Sequence, residues 1–151
     1  MVRARAEGPF SIDLDAFPLV RMRSPSASEY ERVDVASFFA CADRVAARRA
    51  PFVLLHDARG LPYVDERRQR DFLALLLCRR RALPKHLLAY AAVVSTPLER
   101  GLITALAWSA HLPIPTRLFA TEPEAQAFLL DRYTRVRAAR DASASALRPY
   151  L

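Results

Sequence analysis

The sequence predicts an α/β protein with a mixed, mostly parallel five-stranded sheet and the element order β-β-α-β-α-β-α-β-α. Short apolar segments recur along the chain, and three of them lead into a helix-start pattern. Two of these starts, at residues 96–99 and 121–124, read Thr-x-x-Glu, the pattern of a capping box. A strand followed by a capped helix, repeated along the chain, is typical of a layered α/β sheet.

The first half of the chain begins with a predicted hairpin. Polar and apolar residues alternate at 10–14 and 19–22, on both sides of a tight-turn sequence. A first helix with one apolar face is predicted at about 28–48. The next strand, 52–55, is apolar on both sides, as expected of an interior strand covered by helices. A second helix, at about 65–81, is apolar nearly all round, because Leu75 and Cys78 point away from its core face.

The second half continues the alternation with a strand at 87–94, a third helix at about 97–110, a strand at 116–120 and a final helix from 122. The final helix is expected to decay beyond 141, where its apolar periodicity is lost. On the third helix, the residues predicted to face the core are Leu98, Leu102, Ala105, Leu106 and Ser109. The residues predicted to be exposed there are Arg100, Thr104 and His111, with Trp108 beside them.

The expected organisation is a flexible N-terminus at 1–9, one domain at 10–133, and a basic helical extension or tail at 134–151. A chain of 151 residues with 52% hydrophobic and 26% charged residues has globular composition. Its apolar runs are far shorter than the roughly 20 residues that span a bilayer, and no secretory signal is recognisable. We therefore expect a cytoplasmic protein that does not insert into membranes, while peripheral lipid contact stays open.

The net charge of +7 does not by itself indicate a nucleic-acid partner. Every basic residue except Lys85 is an arginine, and the arginines are spread along the chain. They are not interleaved with aromatic residues that could stack on bases. The sequence therefore predicts a charged, solvated surface and no nucleic-acid binding.

Sequence motifs for catalysis, cofactors and metals are missing. Only three glycines occur, which excludes a P-loop and a dinucleotide fingerprint. The histidines, His56, His86 and His111, are isolated from one another and from metal-ligand spacing. Cys41 and Cys78 are predicted to be buried free thiols. We expect no cofactor, no metal and no enzymatic activity, since an enzyme would need His56 or His111 beside an acid in a cleft.

The elbow after the predicted central strand has the sequence Asp57-Ala58-Arg59-Gly60-Leu61. With the element order, it resembles the STAS domain family, in particular the SpoIIAA-like (anti-sigma-factor-antagonist) branch, whose elbow is Asp-Ser-(Ser/Thr/Ala)-Gly-Leu. The segment 87–129 is also similar to the family's closing strand, helix, strand and helix, so the resemblance covers roughly 10–133. It implies a bacterial regulatory protein in which an elbow hydroxyl is phosphorylated. Here Ala58 and Arg59 occupy both hydroxyl positions, so no phosphorylation switch is expected at this elbow.

The leading hypothesis is therefore a non-enzymatic protein-interaction or regulatory module that binds another protein or a second copy of itself as a homodimer. Arginine and tyrosine near the elbow are residue types enriched in interfaces. The residues predicted to bind the partner are Asp57, Arg59, Tyr63, Leu75, Cys78, Arg100 and Trp108. The alternative hypothesis is binding of a lipid or small apolar ligand between the second and third helices, near Trp108.

Overall fold

The computed structural model describes residues 11–24, 40, 43–60, 85–111 and 113–147. Within these residues, five strands form one sheet. They are β1 (Ser11–Asp13), β2 (Leu19–Arg23), β3 (Phe52–Asp57), β4 (Leu87–Val93) and β5 (Thr116–Phe119). The strands lie in chain order across the sheet; β1 is antiparallel to β2, and the other neighbours are parallel. The predicted mixed, mostly parallel five-stranded sheet is confirmed.

Two long helices lie in the described part of the chain, α1 (Pro97–Ala110) and α2 (Glu122–Leu147). They correspond to the predicted third and final helices. Helical backbone is also present at residues 40 and 43–46, inside the predicted first helix. The rest of the first helix, and the predicted second helix with Leu75 and Cys78, lie outside the described residues.

The predicted decay of the last helix beyond residue 141 is wrong, because α2 continues to Leu147. Its side chains from 137 to 145 are all exposed. Apolar periodicity ends there because the helix leaves the sheet. The backbone stays helical because this stretch is rich in alanine, the strongest helix former.

The helices cover opposite faces of the sheet. One face packs against Ala125 and Leu129 of α2 through a buried cluster from β2, β3 and β4, consisting of Leu19, Val53, Leu55, Ala89, Ala91 and Val93. On the other face, Val45 packs with β1 and β2 residues, and Ile103 of α1 packs with Ala92 and Val94. The described residues therefore form a helix–sheet–helix sandwich, in which both faces of the interior strands β3 and β4 are covered.

The orientation of α1 differs from the predicted one. Ile103 and Glu99 are buried against the sheet, whereas Leu98 is 54% exposed and Ala105 is also exposed. The prediction that Leu98 and Ala105 face the core is therefore wrong. Arg100, Thr104 and His111 are exposed as predicted. The physical reason is the buried Glu99 carboxylate, whose hydrogen bonds fix the rotation of the helix.

An arginine links β2 to the start of α2. The Arg21 guanidinium donates to Gln126 Oε1 at 2.9 Å, and its Nε atom lies 3.4 Å from Glu122 Oε1. This Nε atom is buried and makes no hydrogen bond, so its contact with Glu122 is an ion pair only. The contact fixes the first turn of α2 beside the sheet.

Candidate functional site at the carboxyl end of the sheet

Polar residues gather where the parallel strands end. The carboxyl ends of β2 to β5 lie at one edge of the sheet because these strands are parallel. Ser24 follows β2, residues 58–60 follow β3, Ser95 and Thr96 follow β4, and Thr121 follows β5. This edge contains the elbow that the sequence singled out.

Glu99 is the central side chain of the edge and is only 4% exposed. Its Oε1 atom accepts from the Gly60 backbone N–H at 2.8 Å, which ties α1 to the elbow after β3. Its Oε2 atom accepts from the Ser95 N–H at 2.6 Å, the Ser95 hydroxyl at 2.9 Å and the Thr96 N–H at 3.0 Å. The Thr96 hydroxyl accepts from the Glu99 N–H at 3.2 Å, which confirms the predicted capping box.

These hydrogen bonds hold Glu99 ionised. Burial raises the pKa of this carboxyl, but the combined hydrogen bonds from Ser95, Gly60 and Thr96 outweigh burial and leave the pKa below its ordinary value. A carboxylate with several donors at a helix N-terminus is also favoured by the helix dipole. Glu99 is thus a structural anion that joins two loops.

At the start of α2 the capping residues make a different contact. The Thr121 hydroxyl donates to Glu124 Oε2 at 2.6 Å, so these two side chains bond to each other. The Thr-x-x-Glu pattern at 121–124 therefore marks the start of α2 correctly, but its two side chains bond to each other. The reciprocal side chain to backbone hydrogen bonds of a capping box are seen at Thr96 and Glu99 of α1.

The exposed part of the elbow is an ion pair between Asp57 and Arg59. The Arg59 Nε and Nη2 atoms each donate to one Asp57 oxygen at 2.8 Å, and the Arg59 backbone N–H donates to Oδ1 at 3.2 Å. The hydrogen bonds from Arg59 lower the pKa of Asp57. Gly60 follows with a φ of 77°, a left-handed conformation that glycine adopts at low cost.

Ala58 points the other way. It is fully buried in the cluster with Ala92, Val94 and Ile103, under α1. Of the two elbow positions where the motif that this elbow resembles has hydroxyls, position 58 therefore faces the core and position 59 faces solvent. Arg59 is the side chain that the elbow presents to the outside.

A buried hydrogen-bonded chain runs behind the elbow, and sequence reasoning missed it. The Ser24 hydroxyl lies 2.6 Å from His56 Nε2, and the Tyr90 hydroxyl lies 2.7 Å from His56 Nδ1. Strand register brings the three together, because β2 and β4 flank β3 and all three residues face α1's side of the sheet. No local motif could reveal residues more than thirty positions apart.

His56 is neutral in this setting. Burial lowers its pKa to about 4, against an opposing effect of the nearby Asp57 charge, and burial raises the pKa of Tyr90 beyond its ordinary range. Both imidazole nitrogens are satisfied by hydroxyls. This arrangement is that of a structural polar chain in the core.

The predicted site residues fall into three groups. Asp57 and Arg59 form the elbow ion pair, while Arg100 and Trp108 lie on the exposed side of α1, with Trp108 80% exposed. Tyr63, Leu75 and Cys78 lie outside the described residues. The ligand site proposed between the second and third helices includes residues of that same segment and stays a prediction.

In the described ranges, no group of three His, Cys, Asp or Glu side chains is placed to hold a metal ion. Of the helices within those ranges, none is both long enough and apolar enough to cross a membrane.

His111 is the C-cap of α1, where its backbone N–H donates to the Trp108 carbonyl at 3.2 Å.

The Asp57–Arg59 pair is expected to contribute little stability. We predict that Arg59→Ala lowers the free energy of unfolding by less than about 1 kcal/mol, because both side chains contact solvent. Urea denaturation at neutral pH measures this, with Arg135→Ala, which breaks the exposed pair with Asp131, as the matched control. A loss above about 2 kcal/mol would show that the elbow needs this pair to fold.

No family model matches the sequence, and neither the curated proteins nor the solved structures contain a significant match. The resemblance to STAS domains therefore stays a prediction from the sequence.

Proposed function

We propose that this protein is a non-enzymatic interaction or regulatory module whose partner contacts the elbow at 57–60 and the exposed side of α1. The observation that supports this most is Trp108, which leaves 80% of its surface in water. Tryptophan is among the residue types most enriched in binding hot spots. Leu98, at the other end of the same helix, is 54% exposed.

The surface is held rigid from below. Glu99 fixes the elbow to the first turn of α1 by hydrogen bonds to Gly60 and Ser95. Arg59 is in turn fixed by two hydrogen bonds to Asp57. A partner that docks on a surface already in its bound shape loses less conformational entropy than one that must order a loop.

The chemistry of the edge supports binding over catalysis. General acid–base catalysis needs a titratable atom that can reach a substrate. Asp57 is engaged by Arg59, Glu99 accepts hydrogen bonds at both of its oxygens, and the two ring nitrogens of His56 contact buried hydroxyls. These three groups hold the fold together. The exposed side chains at this edge and on α1 include Arg59, Arg100, Ser95 and Thr96.

We also propose that the module is STAS-like and lacks the family's phosphorylation switch. The mixed sheet, the elbow directly after an interior strand and the helix that begins at Pro97 support the resemblance. Arg59 stands at the solvent-facing elbow position, where a permanent positive charge would take the place of a modifiable hydroxyl. The partner would then be recognised constitutively.

Replacing the Trp108 side chain with that of alanine tests the proposal. We expect Trp108→Ala to weaken partner capture by the tagged chain at least about tenfold, as for a hot-spot residue. The matched control is Leu130→Ala on α2, where a 39% exposed leucine lies on a different surface. Circular dichroism should be unchanged for both variants.

Fluorescence gives a second measurement, because Trp108 is the only tryptophan of the chain. Its emission should shift to shorter wavelength when the identified partner is added, as water is removed from the ring. Equal capture by wild type and Trp108→Ala would contradict the proposal. A shift produced by phosphatidylcholine vesicles, with no partner protein added, would support the alternative, a lipid or apolar ligand near Trp108.

A further inference from the structure

The exposed side of α1 carries four residues at a regular spacing. Leu98, Gly101, Ala105 and Trp108 are all exposed, and they follow one another at intervals of three, four and three residues. This spacing places them on one narrow stripe of the helix, about 15 Å long, opposite the buried side. We call this stripe the outer seam.

The outer seam has the same order of large and small residues from either end of α1. Leu98 and Trp108 are the large residues at its two ends, and Gly101 and Ala105 are the small ones in its middle, all placed symmetrically about Ile103. A surface with this symmetry can pack against the same surface of a second copy related by a two-fold axis. In such an interface, residue i of each copy contacts residue j of the other.

We propose that a second copy of this chain docks antiparallel on the outer seam and forms a symmetric dimer. This inference rests on the proposed interaction function and names its partner. In the dimer, Leu98 packs against the partner's Trp108, and Gly101 lies against the partner's Ala105. The exposed tryptophan of each copy is then covered.

The middle of the outer seam permits close helix packing. Apart from the backbone of its own helix, a Cβ atom placed on Gly101 would meet nothing within 4 Å, so the space above this residue is open. With only glycine and alanine at the crossing point, two α1 helices can approach at the short end of the usual 8–10 Å range. Larger residues there would hold the helices apart.

Charge complementarity favours the antiparallel arrangement. Arg100 is exposed one turn into α1, where a cation opposes the positive end of its own helix dipole. The last turn of α1 carries no basic residue to offset its negative end. In the antiparallel pair, Arg100 lies opposite the partner's Leu106, within reach of the partner's uncompensated helix end. Each copy thus supplies the cation that the other lacks.

The area available corresponds to a weak dimer. Trp108 and Leu98 together expose on the order of 300 Å² per copy, which gives roughly half of the ~1,200 Å² of a small specific interface. Gly101, Thr104, Ala105 and the Arg100 stem supply further surface around them. We therefore expect a reversible dimer that dissociates on dilution.

Sedimentation equilibrium of the full chain, from about 1 to 200 μM, tests the inference. The wild type should show a monomer–dimer equilibrium, and Gly101→Gln should weaken it at least about tenfold. This variant separates folding from docking: glutamine has open space at position 101 and a higher helix propensity than glycine, so its unfolding midpoint should be unchanged or raised. Ala127→Gln on the exposed side of α2 is the matched control and should dimerise like wild type.

A second variant tests the role of Arg100 in the dimer. Arg100→Glu should raise the dissociation constant of the dimer more at low salt than at high salt. Arg140→Glu, an exposed charge change on α2, should leave the dissociation constant as in wild type. A chain that is monomeric over the whole range overturns the inference, and so does a dimer that Gly101→Gln leaves intact. If the monomer still captures another protein in a Trp108-dependent manner, the proposed function stands and only the identity of the partner is wrong.

Discussion

Replacing Glu99 with alanine is expected to lower the free energy of unfolding by about 3 kcal/mol. The carboxylate accepts hydrogen bonds from the backbone N–H groups of Gly60, Ser95 and Thr96 and from the Ser95 hydroxyl. Alanine would leave these donors without their acceptor in a part-buried place. It would also remove one half of the α1 capping box, which alone contributes about 1 kcal/mol.

Two further variants make this test specific. Glu124→Ala removes an exposed first-turn carboxylate from α2 and should lower stability by less than about 1 kcal/mol. Glu99→Gln should fall between the two, because its amide keeps an acceptor oxygen but turns an NH₂ group toward backbone donors. Urea unfolding at pH 7 gives the three values. Equal losses for Glu99→Ala and Glu124→Ala would show that the link between the elbow and α1 is dispensable.

The second large effect is a loss of stability in mild acid, caused by His56. Its pKa is about 4 in the folded protein and near 6.5 in the unfolded chain. Between these values the unfolded chain binds a proton that the folded protein does not, so stability is full above pH 6.5 and falls as the pH drops to 4. A separation of this size corresponds to about 3 kcal/mol. The Glu99 carboxylate adds its own loss only at lower pH, since its pKa lies below its ordinary 4.5.

The variant His56→Gln isolates this contribution. Glutamine can still form hydrogen bonds with Ser24 and Tyr90 but does not titrate. We expect the difference in unfolding free energy between pH 7 and about pH 4.5 to shrink by about 2 kcal/mol in the variant. His86 and His111 are present in both proteins and cancel in the comparison. Parallel pH profiles for wild type and variant would show that His56 is not neutral in the fold.

Local signals in the sequence were sufficient for the five strands and for the starts of α1 and α2. Alternation and turn residues predicted the β1–β2 hairpin, apolar runs predicted β3 and β4, and the Thr-x-x-Glu pattern predicted the start of α1. These signals depend on neighbouring residues, which is why they could be read without coordinates. The end of α2 was wrong because lost periodicity indicates lost packing, while helix formation in an alanine-rich stretch needs no packing.

The candidate site was only partly predictable for a related reason. Asp57 and Arg59 are two positions apart, and their proximity follows from the elbow sequence. The Ser24–His56–Tyr90 chain depends on the register of three strands, and the rotation of α1 depends on a buried glutamate that hydropathy assigns to solvent. With Glu99 and Ile103 buried, Leu98 is turned toward solvent, and so the outer seam could not be found from apolar periodicity.

The match between strand order and chain order has a consequence for biosynthesis. As the chain leaves the ribosome, each of β2 to β5 finds its pairing neighbour already made, and no strand has to insert between two others. The sheet can therefore grow in one direction during translation. The helix α2 emerges after all five strands, and it covers Leu55, Ala91 and Val93. A nascent chain stalled before this helix would expose the apolar face of the sheet that α2 covers.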